Sequence, residues 1–127
     1  MIFVDTNVFM YAVGRPHPLQ EEARTFFLEH VESGRTLVTS AEVLQELLHA
    51  YVPVGRFSTL DAALALARAR TSQVWSVEAE DVEVAWSLAH RHPELGARDL
   101  LHLACCIRRE ADEIRTFERG LAAAFKG

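Results

Sequence analysis

Apolar residues along this chain follow two rhythms: short unbroken runs of three or four, and longer stretches at helical spacing. The first run, Ile2-Phe3-Val4, stops at Asp5 and predicts a short buried strand. Thr6 or Asn7 is placed to cap a helix that begins at once through the apolar stretch Val8–Val13. Gly14, Pro16 and Pro18 break that helix. A second helix is expected from Leu19 to about Glu32, with Leu19, Ala23, Phe26, Phe27, His30 and Val31 in register, and Ser33-Gly34 stops it. Thr36–Thr39 reads as a second strand. Ser40 caps a helix from Ala41 to about Val52 that turns Val43, Leu44, Leu47, Leu48 and Tyr51 to one face. Beyond Pro53 and Gly55, Ser58 and Asp61 have capping-box spacing for a helix from Thr59 to about Arg70.

Val74–Val77 predicts a third strand, and Glu78–His90 a helix with Val82, Ala85, Trp86 and Ala89 inward. His92, Pro93 and Gly96 interrupt the chain before another helix from Ala97 to about Arg109, with Leu100, Leu101, Leu103, Ala104 and Ile107 as its apolar set. Glu113–Phe117 completes the strands, and a short helix runs through Phe125. Strands alternating with helices in this way predict one parallel α/β sheet covered on both faces.

At 127 residues the chain is expected to form one domain with a real core. No apolar run approaches the roughly 18 residues of a membrane span, and no basic segment precedes the first apolar residues as in a signal peptide. A cytosolic protein is the expectation. Cys105 and Cys106 are adjacent in a helical segment, which suits two buried, reduced thiols and no zinc motif. The net charge is −5, with 18 acids against 13 bases. That argues against nucleic-acid binding through a broad basic surface, but not against an enzyme that meets a few phosphates through arginines or metal ions. Twelve of the 13 bases are arginine, which suits bidentate phosphate or carboxylate contacts and equally reflects the base composition of the genome.

Four acids stand where such a fold can gather them: Asp5 ends the first strand, Glu46 flanks the apolar face of the third helix, Asp99 lies in a first helical turn, and Glu118 follows the last strand. Ligands of open α/β sheets bind at the carboxyl ends of the strands. Each acid also has an ordinary reading. Asp5 can start a turn, Asp99 and Glu118 can complement helix N-termini, Glu46 can be a solvated face residue, and Glu42 rivals it one turn earlier. Gathered together, four carboxylates repel unless cations intervene. Hard divalent ions take oxygen ligands, and two of them roughly 3.5–4 Å apart can drive phosphodiester hydrolysis. His90 and His92 are cap histidines or a metal pair. His102 is a packed histidine or a neighbour of the pocket. Arg98, beside Asp99, is a contact for phosphate or a partner for a carboxylate, and Arg15 is a further candidate phosphate contact.

Asp5-Thr6-Asn7 after a hydrophobic strand resembles the opening signature of PIN-domain nucleases. Val43-Leu44-Gln45-Glu46-Leu47-Leu48 is similar to their second acidic motif, and Ala97-Arg98-Asp99-Leu100-Leu101-His102-Leu103-Ala104 to the third, in the form common among VapC-type toxins. Thr116-Phe117-Glu118-Arg119-Gly120-Leu121 resembles the last, where the family more usually has aspartate at the position of Glu118. The resemblance spans the whole chain, 1–127, as a single PIN domain. It implies a three-layer α/β/α fold with a short parallel sheet of four or five strands.

The resemblance also implies a Mg²⁺- or Mn²⁺-dependent endoribonuclease, the toxin of a toxin–antitoxin pair, leaving a 5′-phosphate and a 3′-hydroxyl on RNA. Asp5, Glu46 and Asp99 map onto the metal-binding acids, and Thr6, Asn7 and Thr116 onto supporting positions. Glu118 is a fourth acid whose extra methylene leaves one or two ions open. A homodimer and a cognate VapB-type antitoxin are the implied partners. Other α/β readings fit less well: the glycine signatures of nucleotide-binding loops are missing, a receiver domain needs paired acids after its first strand, and a dehalogenase-type phosphatase needs aspartate where Asn7 stands. A PIN fold that only binds a partner protein is the non-enzymatic alternative.

Overall fold

The computed structural model describes residues 1–126, the side chains of Val31 and Glu32 lying outside the described residues, so Val31's place on the second helix's apolar face does too. The described chain forms four strands and seven helices: β1 (Ile2–Val4), α1 (Thr6–Val13), α2 (Gln20–Ser33), β2 (Leu37–Ser40), α3 (Ala41–Tyr51), α4 (Phe57–Arg70), β3 (Gln73–Trp75), α5 (Ala79–Ala89), α6 (Ala97–Arg108), β4 (Glu113–Arg115) and α7 (Arg119–Lys126). All strand pairs are parallel, in the order β3-β2-β1-β4. Helices α1 to α4 pack on one another, and α5, α6 and α7 form the other helical layer.

Every residue of β1 and β2 is buried. A strand covered on both faces needs apolar residues without alternation, which is how Ile2-Phe3-Val4 reads. Successive strands step outward from β1 through β2 to β3. The chain then crosses back and lays β4 against the other side of β1, pairing Ile2 with Glu113, Phe3 with Ile114 and Val4 with Arg115. This reversal makes the β1/β4 boundary the switch point of the sheet, where ligands collect at the strands' carboxyl ends. The Asp5 N–H donates to the Arg115 carbonyl at 3.0 Å, carrying the ladder one residue into that edge.

Ser40 caps α3 as expected, its hydroxyl accepting from the Val43 N–H, and Gly34 ends α2 in the left-handed region at φ +71°. Several local expectations are corrected. The cap of α1 is Asp5, whose carboxylate accepts from the Thr6 N–H, so Thr6 and Asn7 are free for other contacts. Helix α4 begins at Phe57 after Arg56, which puts Ser58 inside the first turn. Both outer strands are shorter than their apolar runs; β4 releases Thr116 and Phe117 from the ladder.

On α3 and α6, Leu48 and Ile107 are exposed. The largest correction is the face of α5: Val82 and Trp86, expected inward, are 55% and 75% exposed, while Asp81 is fully buried beside Ala85 and Leu88. Asp81 completes a capping box with Glu78 and accepts hydrogen bonds from Arg108 and Arg109 at the end of α6. This polar anchor sets the helix rotation. Cys105 and Cys106 are free and buried, and burial pushes the Cys105 thiol up to about 11. No described helix is long and apolar enough to cross a membrane.

Candidate metal centre

The carboxyl ends of β1 and β4 open into a cleft of about 580 Å³ lined by Asp5, Glu46, Asp99 and Glu118, with Arg98 and His49 also on its wall. Four acids from four separate segments thus share one depression. Glu42 is half-buried on the same helix as Glu46 but does not line the cleft.

Asp5 is held on both oxygens. Its Oδ1 accepts from the Thr6 N–H at 2.7 Å, and its Oδ2 from the Thr116 hydroxyl at 2.7 Å. The Thr116 oxygen in turn accepts from the Glu118 N–H at 3.0 Å and from the Asn7 amide at 3.4 Å, while the Asn7 carbonyl oxygen accepts from the Phe117 N–H at 3.2 Å. Residues 5–7 and 116–118 are therefore laced together across the switch point.

Glu46 faces the cleft because Val43 and Leu47, one turn earlier and one residue later, are fully buried. Its Oε2 accepts from the Thr6 hydroxyl at 2.7 Å, and its Oε1 lies 2.6 Å from His102 Nε2. Burial raises the Glu46 pKa, but the His102 hydrogen bond and charge, the Thr6 hydroxyl and Arg98 outweigh it and hold the carboxyl below its ordinary value. Asp99 is in the first turn of α6, after Gly96. Burial and the neighbouring Asp5, Glu118 and Glu46 charges push its carboxyl above the usual range, against a smaller pull from His102. Glu118 is exposed and directly precedes α7.

The PIN-domain family model matches residues 2–126. The chain belongs to the PIN-domain family. It is 65% identical over 126 residues to ribonuclease VapC23 of Mycobacterium tuberculosis, covering 99% of both chains. It is 37% identical over 120 residues to ribonuclease VapC13 of the same species, covering 94% of this chain and 92% of that one. These relatives mark it as a PIN domain of the VapC type. Among solved structures, M. tuberculosis VapC20, described as a sarcin–ricin loop cleaving toxin, superposes with a TM-score of 0.73 at 24% identity, over 98% of this chain and 95% of that one. VapBC2 of Rickettsia felis, solved with a DNA fragment from its promoter, gives 0.70 at 21% identity, covering 94% and 90%. At those identities the likeness is one of fold.

The cleft of this PIN domain fits a hard divalent cation on its own chemistry. Asp5 and Glu46 bring carboxylate oxygens within 4.8 Å of one another, and Asp99 adds a third carboxylate on the same wall. Burial and the neighbouring Asp5, Glu118 and Glu46 carboxylates disfavour the charged form of Asp99, and oxygen donors of this kind suit a hard divalent ion.

His102 is one of the residues, with Arg98, whose part the sequence left undecided. It is 1% exposed, and its position three residues after Asp99 puts both on one face of α6, the signal that could have found it. The remaining candidates lie elsewhere. His90 is exposed at the end of α5, His92 lies 3.3 Å from Glu94, and neither joins a metal-ligand group among the described residues. Arg15 is exposed beyond the far end of α1 and does not line the cleft, because eight helical residues separate Asp5 from Gly14.

Proposed function

We propose that this VapC-type PIN domain is a divalent-metal-dependent endoribonuclease, the toxin of a toxin–antitoxin pair, acting in the cytoplasm where its RNA lies. The observation that carries the reading is the convergence of Asp5, Glu46, Asp99 and Glu118 on one cleft at the sheet's switch point. Asp5, Glu46 and Asp99 would hold a first Mg²⁺ or Mn²⁺, and the exposed Glu118 would contribute to a second. When bound, the ions supply charge neutralisation and the acidity that makes water a competent nucleophile.

The chain's own residues prepare that chemistry. Thr116 and the Thr6 N–H fix the Asp5 carboxylate, the Thr6 hydroxyl fixes Glu46, and Asn7 ties the loop after β4 to the start of α1. Arg98, exposed on the cleft wall, is the natural partner for an RNA phosphate. Water attacks phosphorus in line, the P–O3′ bond breaks, and the products carry a 5′-phosphate and a 3′-hydroxyl. Local cations of this kind let a chain of net charge −5 act on RNA.

A cognate VapB-type antitoxin and a homodimer complete the proposal. The exposed Val82 and Trp86, beside an apolar groove between α5 and α6, offer one face for such contacts. The test is cleavage of structured RNA with Mg²⁺ or Mn²⁺, repeated with EDTA and with Asp99→Asn. Cleavage is expected only for the metal-supplied wild type. Cleavage that survives both EDTA and a folded Asp99→Asn protein would overturn the metal-nuclease reading.

A further inference from the structure

His102 is a fully buried ionisable side chain in contact with two acids of the cleft, yet it does not line the cleft itself. Its ring lies against Phe3 of β1, with centroids 5.5 Å apart, behind the carboxylates. Nε2 is 2.6 Å from Glu46 Oε1 and 3.4 Å from Asp5 Oδ1. Two acceptor oxygens face this nitrogen, so it carries the proton and donates to Glu46. A nitrogen whose lone pair is taken up by a proton cannot also bind a cation. The other nitrogen, Nδ1, has no partner and is buried away from the carboxylates.

The contacts around the two acids then divide into a front and a back. Asp5 receives donors from Thr6 and Thr116, and Glu46 from Thr6 and His102. Each of the four carboxylate oxygens therefore has one protein donor and keeps lone-pair capacity for something else. Without His102, Glu46 would keep only the Thr6 hydroxyl and could turn on its flexible stem.

We propose that His102 is a positioning residue of the metal centre: from the buried side, its Nε2–H fixes the Glu46 carboxylate beside Asp5, so that both acids meet a divalent ion preoriented. This rests on the divalent-metal reading of the cleft and assigns the imidazole a place behind the ligands rather than among them. Donors that orient metal-binding carboxylates are worth roughly 10- to 100-fold in metal affinity.

The proposal separates two substitutions of similar polarity. In His102→Gln the side-chain amide nitrogen takes the place of Nε2 and still reaches Glu46. In His102→Asn it takes the place of Nδ1 and falls short. Mn²⁺ binding is titrated by electron paramagnetic resonance of the free ion for wild type, both variants, Glu46→Gln and Asp99→Asn, each first checked for folding by metal-free thermal unfolding. His102→Asn is expected to bind Mn²⁺ about 10- to 100-fold more weakly, and His102→Gln to recover most of that loss. Adding His102→Asn to Glu46→Gln is expected to cost nothing further. Spin-echo spectroscopy of bound Mn²⁺ in wild type and in His102→Gln is expected to show no directly bound imidazole nitrogen in either.

Equal Mn²⁺ affinity in wild type and His102→Asn, while Asp99→Asn has lost binding, would overturn the role of His102 and leave the metal centre standing. A directly bound nitrogen that vanishes in His102→Gln would overturn it too, by making His102 a ligand. Failure of wild type to bind Mn²⁺ would overturn the metal reading and this proposal together.

Discussion

Asp81→Asn is expected to be the most destabilising single-atom exchange outside the cleft. Asp81 is completely buried, yet its Oδ1 accepts from Arg108 at 2.6 Å and from Arg109 at 2.8 Å, and its Oδ2 accepts from Arg109 at 3.0 Å and from the Glu78 N–H at 2.8 Å. Removing one partner of a buried ion pair costs about 3–5 kcal/mol when the other is stranded without water. Here the two arginines are about one-fifth exposed and also reach Glu78 and Glu80. Asparagine moreover keeps an oxygen for the cap. The expected loss is therefore lower, about 2–3 kcal/mol, or roughly 8–12 °C in Tm at this chain length.

Acid supplies a second signature. Burial alone would raise the Asp81 carboxyl, but the Arg109, Glu78 N–H and Arg108 hydrogen bonds hold it well below the usual carboxylate range. A folded pKa below the unfolded one gives stability that is complete above the unfolded value, about 3.9, and drains away as pH falls through the folded value. The gap between wild type and Asp81→Asn, read by urea unfolding under circular dichroism, is thus flat from pH 7 to about pH 5 and narrows below about pH 4. A gap under about 0.5 kcal/mol at pH 7 would refute the reasoning, since that is the size of an ordinary surface change. A gap unchanged at pH 3 would refute the electrostatic part.

Asp99→Asn is expected to raise the metal-free Tm, because burial and the surrounding carboxylates oppose the ionised form, and to abolish stabilisation by Mn²⁺. Wild type should gain about 2.7 kcal/mol at a hundred times its Kd; thermal scans with and without MnCl₂ read both effects, and a wild-type metal shift in the variant would refute them. Thr116→Val removes the donor to Asp5 Oδ2 and is expected to lower RNA cleavage at least about tenfold with little change in Tm, so an unimpaired rate would show that this oxygen needs no anchor. Trp86→Ala should cost less than about 1 kcal/mol in chemical unfolding because the indole is 75% exposed; a loss of about 3–5 kcal/mol, as for a core tryptophan, would return it to the interior.

The elements that the sequence made legible are those whose physics is local. A three-residue apolar run of β-favouring residues ending at Asp5 reads as a short covered strand, and Ser40 or Gly34 announces a helix end by its own chemistry. The four acids were visible because parallel α/β topology sends strand ends to one edge. What stayed hidden depends on partners far away in sequence. Periodicity puts Trp86 in the core, and only the pairing of Asp81 with Arg108 and Arg109, some thirty residues on, turns the helix the other way. His102 sits between apolar neighbours and looks like packing until Glu46, 56 residues earlier, is brought against it. The Asp5 cap was misassigned to Thr6 or Asn7 because a carboxylate can serve a helix end and a cleft at the same time.

The lacing of Asp5 to Thr116 has a consequence in time. The two residues are 111 positions apart, and Thr116 is held next to Asp5 only once β4 has paired with β1. Domains begin to fold from their N-terminal side during synthesis, and contacts between distant residues form late. An emerging chain can thus build β1, β2 and the helices around them while the anchor of its first acid is still missing. The support of Asp5 Oδ2 is therefore completed only by the last strand of the sheet, long after the acid it holds has been made.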